Sequence, residues 1–407
     1  GISLPKGGGA LKGIDEKFSV NAINGTASLD IPLPVTPGRG GFTPSLSLNY
    51  NSGSGNSEFG LGWSLSLPSI QRKTDKKLPR YDDANESDVF LLAGAEDLVP
   101  ELDSNGDAVI ITSGLYTIKR YRPRIEGLFA RIEHIRKAGS TGSWWRVTTK
   151  DNITTYYGLT ASGRVADPTV VHSYIFKWLP QLVVDHKGNV QQYDYIAEDD
   201  RNVLQVLHEK NRLNELAAFT NRYLKRVRYC NETPYFIGEA DSYEPMFPSG
   251  IHYLMETVLD YGDHSMPQLL APDQDWHCRT DAFSSYQAGF EIRTYRLCKR
   301  ILQHHHFDEL DGNSLVRALE LSYQYNDPND TSLKETNYII TAVQRGYEYK
   351  GGTWLVKALP AMNFGYDPLE WDTEIHSVLP GDFSGAPQGL TPPYQWVDFE
   401  GEGISGI

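Results

Sequence analysis

The sequence predicts a mainly β protein, with antiparallel hairpins and meanders forming curved sheets or a barrel or sandwich, and one or two short helices. Three observations carry this expectation. Short alternating runs of apolar and polar residues recur about every ten residues, each followed by a Gly, Asn or Asp turn, as in all-β architectures. Aromatic residues reach 12%, with 24 Tyr and 8 Trp, types that favour pleated, half-wet surfaces. Against these, "NRLNELAAF" within residues 200–225 has helical spacing and good helix formers, and reads as a short helix.

Taken in order, residues 1–17 form a Gly-rich arm. A β-rich module over 18–370 follows, in which the stretch near 200–225 offers a break between two subdomains. From Phe18 a meander begins, "FSVNAINGTASLDIPLPV", with "INGT" as a two-residue hairpin signal. Residues 42–73 hold two strictly alternating runs: Leu46, Leu48 and Tyr50, then Trp63, Leu65 and Leu67. The Gly, Ser and Asn loop between them could cradle an anion or let two strands lie close to something. A phosphate loop follows a buried strand and opens a helix. Here strands flank the loop and no Lys sits in it, so a close-packed hairpin is expected. Gly60 and Gly62 would allow close backbone approach, with Phe59 and Trp63 packed beneath. "DSNGD" at 103–107 reads as a type I′ turn at Asn105–Gly106 rather than a Ca²⁺ loop, since it lacks the Gly and distant Glu of an EF-hand. Residues 371–395 are a Pro- and Gly-rich linker, and 396–407 begin a further unit.

Composition narrows the function. The 407 residues have a net charge of −14, and hydrophobic residues make up 40%, a soluble globular balance. Nucleic-acid binders show a basic field, and the longest local basic run, "QRKTDKK" at 71–77, contains an Asp and reads as a solvated turn. The three cysteines, Cys230, Cys278 and Cys298, are no disulfide framework. No window approaches about 18 consecutive apolar residues, and no N-terminal stretch resembles an ordinary secretory signal. The chain begins at Gly1, from which a removed start is expected.

No catalytic constellation stands out, and neither catalytic nor cofactor-binding residues are assigned. In "HHHF" at 304–307, His304 and His306 share a strand face and are weak metal candidates; a third ligand is not visible, and a structural or solvent-facing cluster is the plainer reading. Glu400 and Glu402 form an E-x-E spacing found in Arg-directed ADP-ribosyltransferases, but no transferase domain precedes it. There is no GxSxG, and no carboxylate pair is marked out for glycoside hydrolysis.

Several motifs in order, "LPKGGGALKG", "YNSGSGNSEFGLGWSLS", "LPRYDDANESDVFLL", "YRPRIEGLFARIE", "GFEIRTYRLCKRIL" and "HHF", resemble the SpvB-type N-terminal module, over roughly residues 3–365. That module also opens the TcB subunits of Tc insecticidal toxin complexes, where propeller and YD-repeat (Rhs) shell regions follow it. The tail "VDFEGEG" at 397–403 resembles the first Asp-rich loop of an FG-GAP/VCBS-type propeller repeat, with Glu400 and Glu402 in place of Asn or Asp. The resemblance implies a non-enzymatic structural module of a bacterial virulence or insecticidal toxin, part of a shell or assembly platform that carries or translocates an effector. No cofactor is expected. Its partners would be other toxin-complex subunits or downstream domains, with no nucleic acid, and it would be secreted or host-delivered after synthesis in the bacterial cytoplasm. The alternatives are a cell-surface glycan- or protein-binding module using Trp144–Trp145, and a glycosidase-type enzyme.

Overall fold

The structure is a computed structural model that describes residues 2–3, 18–20, 27–93, 96–125, 127, 129–169, 174–214, 219–324 and 336–366. The linker at 371–395, the unit at 396–407, the "INGT" turn at 23–26 and most of the 1–17 arm lie outside the described residues. Chain contacts divide at Tyr366/Asp367, and the described residues all belong to the first unit.

Strands dominate, as the alternating runs imply. After β1 (Ile2–Ser3) come β2 (Phe18–Val20), β3 (Ala27–Ile31), β4 (Leu48–Asn51) and β5 (Trp63–Leu65), an antiparallel four-stranded sheet in that order. Tyr50 pairs with Trp63 and Leu48 with Leu65, so the alternating runs share one buried face. The first half of the large sheet comes next: β6 (Ile70–Arg72), β7 (Phe90–Leu92), β8 (Glu96–Pro100), β9 (Ile110–Ser113), β10 (Tyr116–Pro123), β11 (Phe129–Lys137), β12 (Ser143–Thr149) and β13 (Thr154–Tyr157). Then come β14 (Arg164–Ala166), β15 (Ile175–Trp178), β16 (Pro180–Val184), β17 (Val190–Ala197), β18 (Arg222–Asn231) and β19 (Tyr253–Asp260). β20 (Phe283–Ser285) and β21 (Ile292–Thr294) form a separate two-stranded sheet. β22 (Arg300–His305), β23 (Leu315–Tyr323), β24 (Ile339–Lys350), β25 (Thr353–Ala358) and β26 (Met362–Asn363) complete the large sheet, and β27 (Gly365–Tyr366) pairs with β1. The α-helix among the described residues is a single turn, α1 (Lys210–Leu213), the described part of the helical stretch read from sequence.

Every strand pair of the large sheet is antiparallel, and one bend sets its curvature. β15 pairs with β6, and β16 pairs with β13. Only Leu179 separates β15 from β16. One bent strand therefore serves both ends of the run from β6 to β13 and curls it round its own core. That core stacks Phe90 against Trp145 and Trp178, with ring centroids 5.0 and 5.7 Å away. Each such pair adds about 0.5–1.5 kcal/mol beyond its buried area. From β17 the sheet continues through β18, β19, β22 and β23 to β24. This half packs on the small sheet through Trp63, Tyr223, Tyr261 and Leu319, all buried.

A cation sits at the rim of the first core. Arg72 is 1% exposed, and its guanidinium bonds the Ile175 carbonyl at 2.7 Å and both Asp83 and Asp88. It ties β6 and the 83–88 turn to β15, across the curl. Removing one member of a buried pair leaves the others uncompensated, at a cost of about 3–5 kcal/mol. Arg72→Met is expected to lower unfolding free energy by about that amount, read from urea midpoints; an unchanged midpoint would show that the curl does not depend on this tie.

Candidate functional site

The glycine-rich loop is used for close approach. Phe59 and Trp63 are fully buried. Gly60 has φ +79, and a Cβ there would lie 2.8 Å from the Asn337 carbonyl oxygen; Gly62 has φ +81, and its Cβ would lie 2.4 Å from a ring carbon of Tyr50. Backbone donors of the loop point at protein acceptors: Gly60 N–H to Ser57 O, Leu61 N–H to Asn337 O and Gly62 N–H to Gly55 O. The Trp63 indole N–H donates to the Tyr366 hydroxyl at 2.8 Å, which donates to the Ile339 carbonyl. The first strands are thereby fixed to the last.

A clamp holds the loop from outside. Arg279 donates to the Ser57 carbonyl at 2.6 Å, to Asn56 Oδ1 at 2.9 Å and, as a fork, to both oxygens of Asp281. Asp281 also accepts from the Asn337 backbone N–H and side-chain amide. Burial alone would raise the Asp281 carboxyl, but the hydrogen bonds and charge of Arg279 outweigh it and hold the group below its ordinary range. The clamp forms one wall of a cleft of about 920 Å³, also lined by Glu209, Arg293, Tyr295, His277 and Cys278. Its acids are already engaged: Glu209 accepts from Arg293, Tyr295 and Arg212. Burial pushes the Cys278 thiol up to about 11 and the His277 imidazole down. A nucleophile is favoured by a lowered pKa, whereas burial raises that of Cys278, and the charged groups of this wall brace chain segments against one another.

His304 and His306 do share a strand face, with parallel rings 6.4 Å apart. His304 is fully buried; its Nδ1 lies 2.8 Å from Ser314 Oγ, while its Nε2 has no partner. His306 Nε2 lies 2.8 Å from Glu256 Oε2. Among the described residues, no group of three or more His, Cys, Asp or Glu side chains is placed to hold a metal ion.

Two sequence expectations are corrected. Trp144 and Trp145, the contact residues of the glycan-binding alternative, are 2% and 0% exposed. The two faces of β12 are covered, one by the curl's core and the other by the 235–251 segment, whose Tyr243 carbonyl accepts the Trp144 indole N–H. The 103–107 turn is not type I′, which needs positive φ at both central residues. Gly106 has φ +82 but Asn105 does not, because Asp103 Oδ1 accepts the N–H groups of Asn105 and Asp107 and sets a wider loop.

The fold and the clamp define a β module whose polar groups lock chain segments together. The comparisons then identify its family. The family described as SpvB, Salmonella virulence plasmid 65kDa B protein, matches residues 21–307, and the chain belongs to it. The mono(ADP-ribosyl)transferase SpvB of Salmonella choleraesuis (strain SC-B67) is 37% identical over 343 residues, covering 80% of this chain and 54% of the relative. The chain thus spans about half the length of the curated relatives it matches. The N-terminal domain of effector protein SpvB from Salmonella typhimurium strain LT2 superposes with a TM-score of 0.68 at 32% identity, covering 78% of this chain and 98% of that one. TcdB2-TccC3 without its hypervariable C-terminal region gives a TM-score of 0.73 at 31% identity, covering 89% of this chain and 17% of that one. The Photorhabdus luminescens Tc holotoxin pore gives 0.72 at 32% identity, covering 88% and 16%. The same module thus occurs in SpvB and within these Tc toxin chains. No helix among the described residues is long and apolar enough to cross a membrane.

Trp63→Ala should destabilise the fold by about 3–5 kcal/mol, as for other large-to-small core changes, seen as a lower urea midpoint; an unchanged midpoint would contradict its keystone position. Acid should also weaken the fold. Burial lowers the His304 pKa from its ordinary 6.5 to about 4, and His134 shifts the same way. Between those values the unfolded chain binds more protons at these two sites than the folded one, so their contribution to stability is full above about pH 6.5 and falls as pH drops towards 4. Urea midpoints measured between pH 7 and 5 should decline, and less steeply in His304→Gln; parallel profiles would rule out His304 as a source.

Proposed function

We propose that this chain is a non-enzymatic structural module of a bacterial virulence or insecticidal toxin, contributing to the shell or assembly platform that carries or translocates an effector. The observation that supports this most is a pair of coverages. The chain matches 98% of a free-standing SpvB N-terminal domain, yet only 17% of a TcdB2-TccC3 chain. One module is thus built into two kinds of longer toxin protein, which suits a scaffold better than the specific chemistry of either. The internal arrangement agrees: the cleft's carboxylates are neutralised by arginines, and its thiol is held protonated by burial. Its partners would be other toxin-complex subunits or downstream domains of the same polypeptide, and it would act after secretion or delivery to a host cell.

The transferase name of the curated relatives supplies the test. Incubating the chain with labelled NAD and an actin-containing lysate is expected to leave no labelled protein. A labelled band absent from a lysate-only control would refute the non-enzymatic reading.

A further inference from the structure

The outer face of β10 and β11 carries two arginines, Arg122 and Arg131, with no charged partner among the described residues. Along β10, Arg120 and Arg122 stand at alternate positions and so share a face, at an interval of about 6.8 Å. Tyr121 and Ile132 are the last pair of the β10–β11 ladder, and Arg122 and Arg131 are the residues next beyond it on the two strands. Both are exposed, and neither guanidinium has a hydrogen bond or ion pair among the described residues. Arg120 adds a buried Nε without a partner.

Two of the described carboxylates nearby, Glu133 and Asp97, are engaged by other cations. Glu133, directly across from Arg120, is held in a fork by Arg146 at 3.0 and 2.9 Å. Asp97 is shared by Lys73 at 3.1 Å and Arg124 at 3.5 Å. Glu101 donates its backbone N–H to the Arg120 carbonyl at 3.0 Å. The 235–251 segment covers the Trp144 end of this face, where Arg146 donates to the Ser242 carbonyl. The Arg122–Arg131 end is open.

Like charges beside each other on neighbouring strands destabilise a sheet. Here they stand together in a chain with 52 acidic and 38 basic residues, where counter-charges are abundant. We propose that this face is a docking surface for a carboxylate-rich protein segment that lies along β10 and β11. A guanidinium forks onto a carboxylate, and acidic residues at alternate positions of an extended segment repeat at the same interval of about 6.8 Å. The net charge of −14 opposes approach of a long polyanion such as nucleic acid or an anionic bilayer. It opposes a short acidic segment far less. Longer relatives extend well past the matched module, so protein surface is available to supply one.

The test uses the whole chain, a fluorescein-labelled alternating Glu-Thr peptide, inorganic phosphate and phosphatidylserine vesicles. Wild type should bind the peptide in fluorescence anisotropy at low salt, release it as salt rises, and bind it about tenfold more tightly than Arg122→Gln/Arg131→Gln. The urea midpoint of the double variant should equal or exceed that of wild type, because repulsion is relieved. No peptide binding, or equal binding by the double variant, overturns the proposal. So does tighter binding of phosphate or vesicles than of peptide, which would assign the face to phosphate groups. A lowered midpoint in the double variant would show that the arginines support the fold instead, and would overturn it too.

Discussion

A guanidinium with its donors filled holds the glycine-rich loop against the body of the protein. Arg279 reaches the Ser57 carbonyl across 222 residues of chain, and its fork to Asp281 leads on to Asn337. Asn337 in turn accepts the Leu61 N–H, 2.8 Å from where a Gly60 side chain would begin. Loop, clamp and late strand are mutually fixed. A larger residue at 60 would push Asn337 away, and with it the partner that orients Asp281. Trp63 closes the loop, its carbonyl accepting from the Ser57 hydroxyl while its indole donates to Tyr366.

The same device recurs at other contacts between distant segments. Arg72 joins β6 to β15, Arg146 joins β12 to the covering 235–251 segment, and Arg296 binds Glu198 at 2.8 Å over the Trp276 ring. Desolvating an ion pair costs about as much as its attraction returns, so such pairs are poor sources of net stability. Their value here is directional. Apolar contacts would accept many offsets between two curved sheet surfaces, whereas a forked guanidinium bound to a carboxylate and a named carbonyl accepts one. A fold whose regular structure is almost all strand, joined by long irregular connections, gains most from that selectivity.

Much of this was legible in the sequence, and the boundary is physical. Alternation in Leu48–Tyr50 and Trp63–Leu65 named both partners of one hairpin and its buried face, because the side-chain period of a strand is a local property. The glycines at 60 and 62 pointed to close approach without saying to what. Asn337 and Tyr50 enter from elsewhere, and no spacing rule connects them to the loop. Trp144–Trp145 misled for a related reason. Adjacent residues on a strand face opposite sides, so one of the pair reads as exposed unless a second layer covers the sheet, and the 235–251 segment that does so is irregular. The bend at Leu179 and the Arg122–Arg131 adjacency were equally silent, since both are facts of register between distant runs.

Curvature and charge placement are linked by that register. Curling the run from β6 to β13 turns one face inward, where Phe90, Trp145 and Trp178 fill it, and leaves the opposite face to be covered or solvated. The buried arginines bind where layers meet, and each finds a carboxylate because an uncompensated charge there would cost several kcal/mol. An exposed sheet face is under no such demand: high dielectric lets like charges stand together for a small penalty. Arg122 and Arg131 occupy the one part of β10 and β11 where neither the inner core nor the 235–251 cover enforces pairing. Their lack of partners follows from position in the curl, and what can meet them must come from outside the described residues.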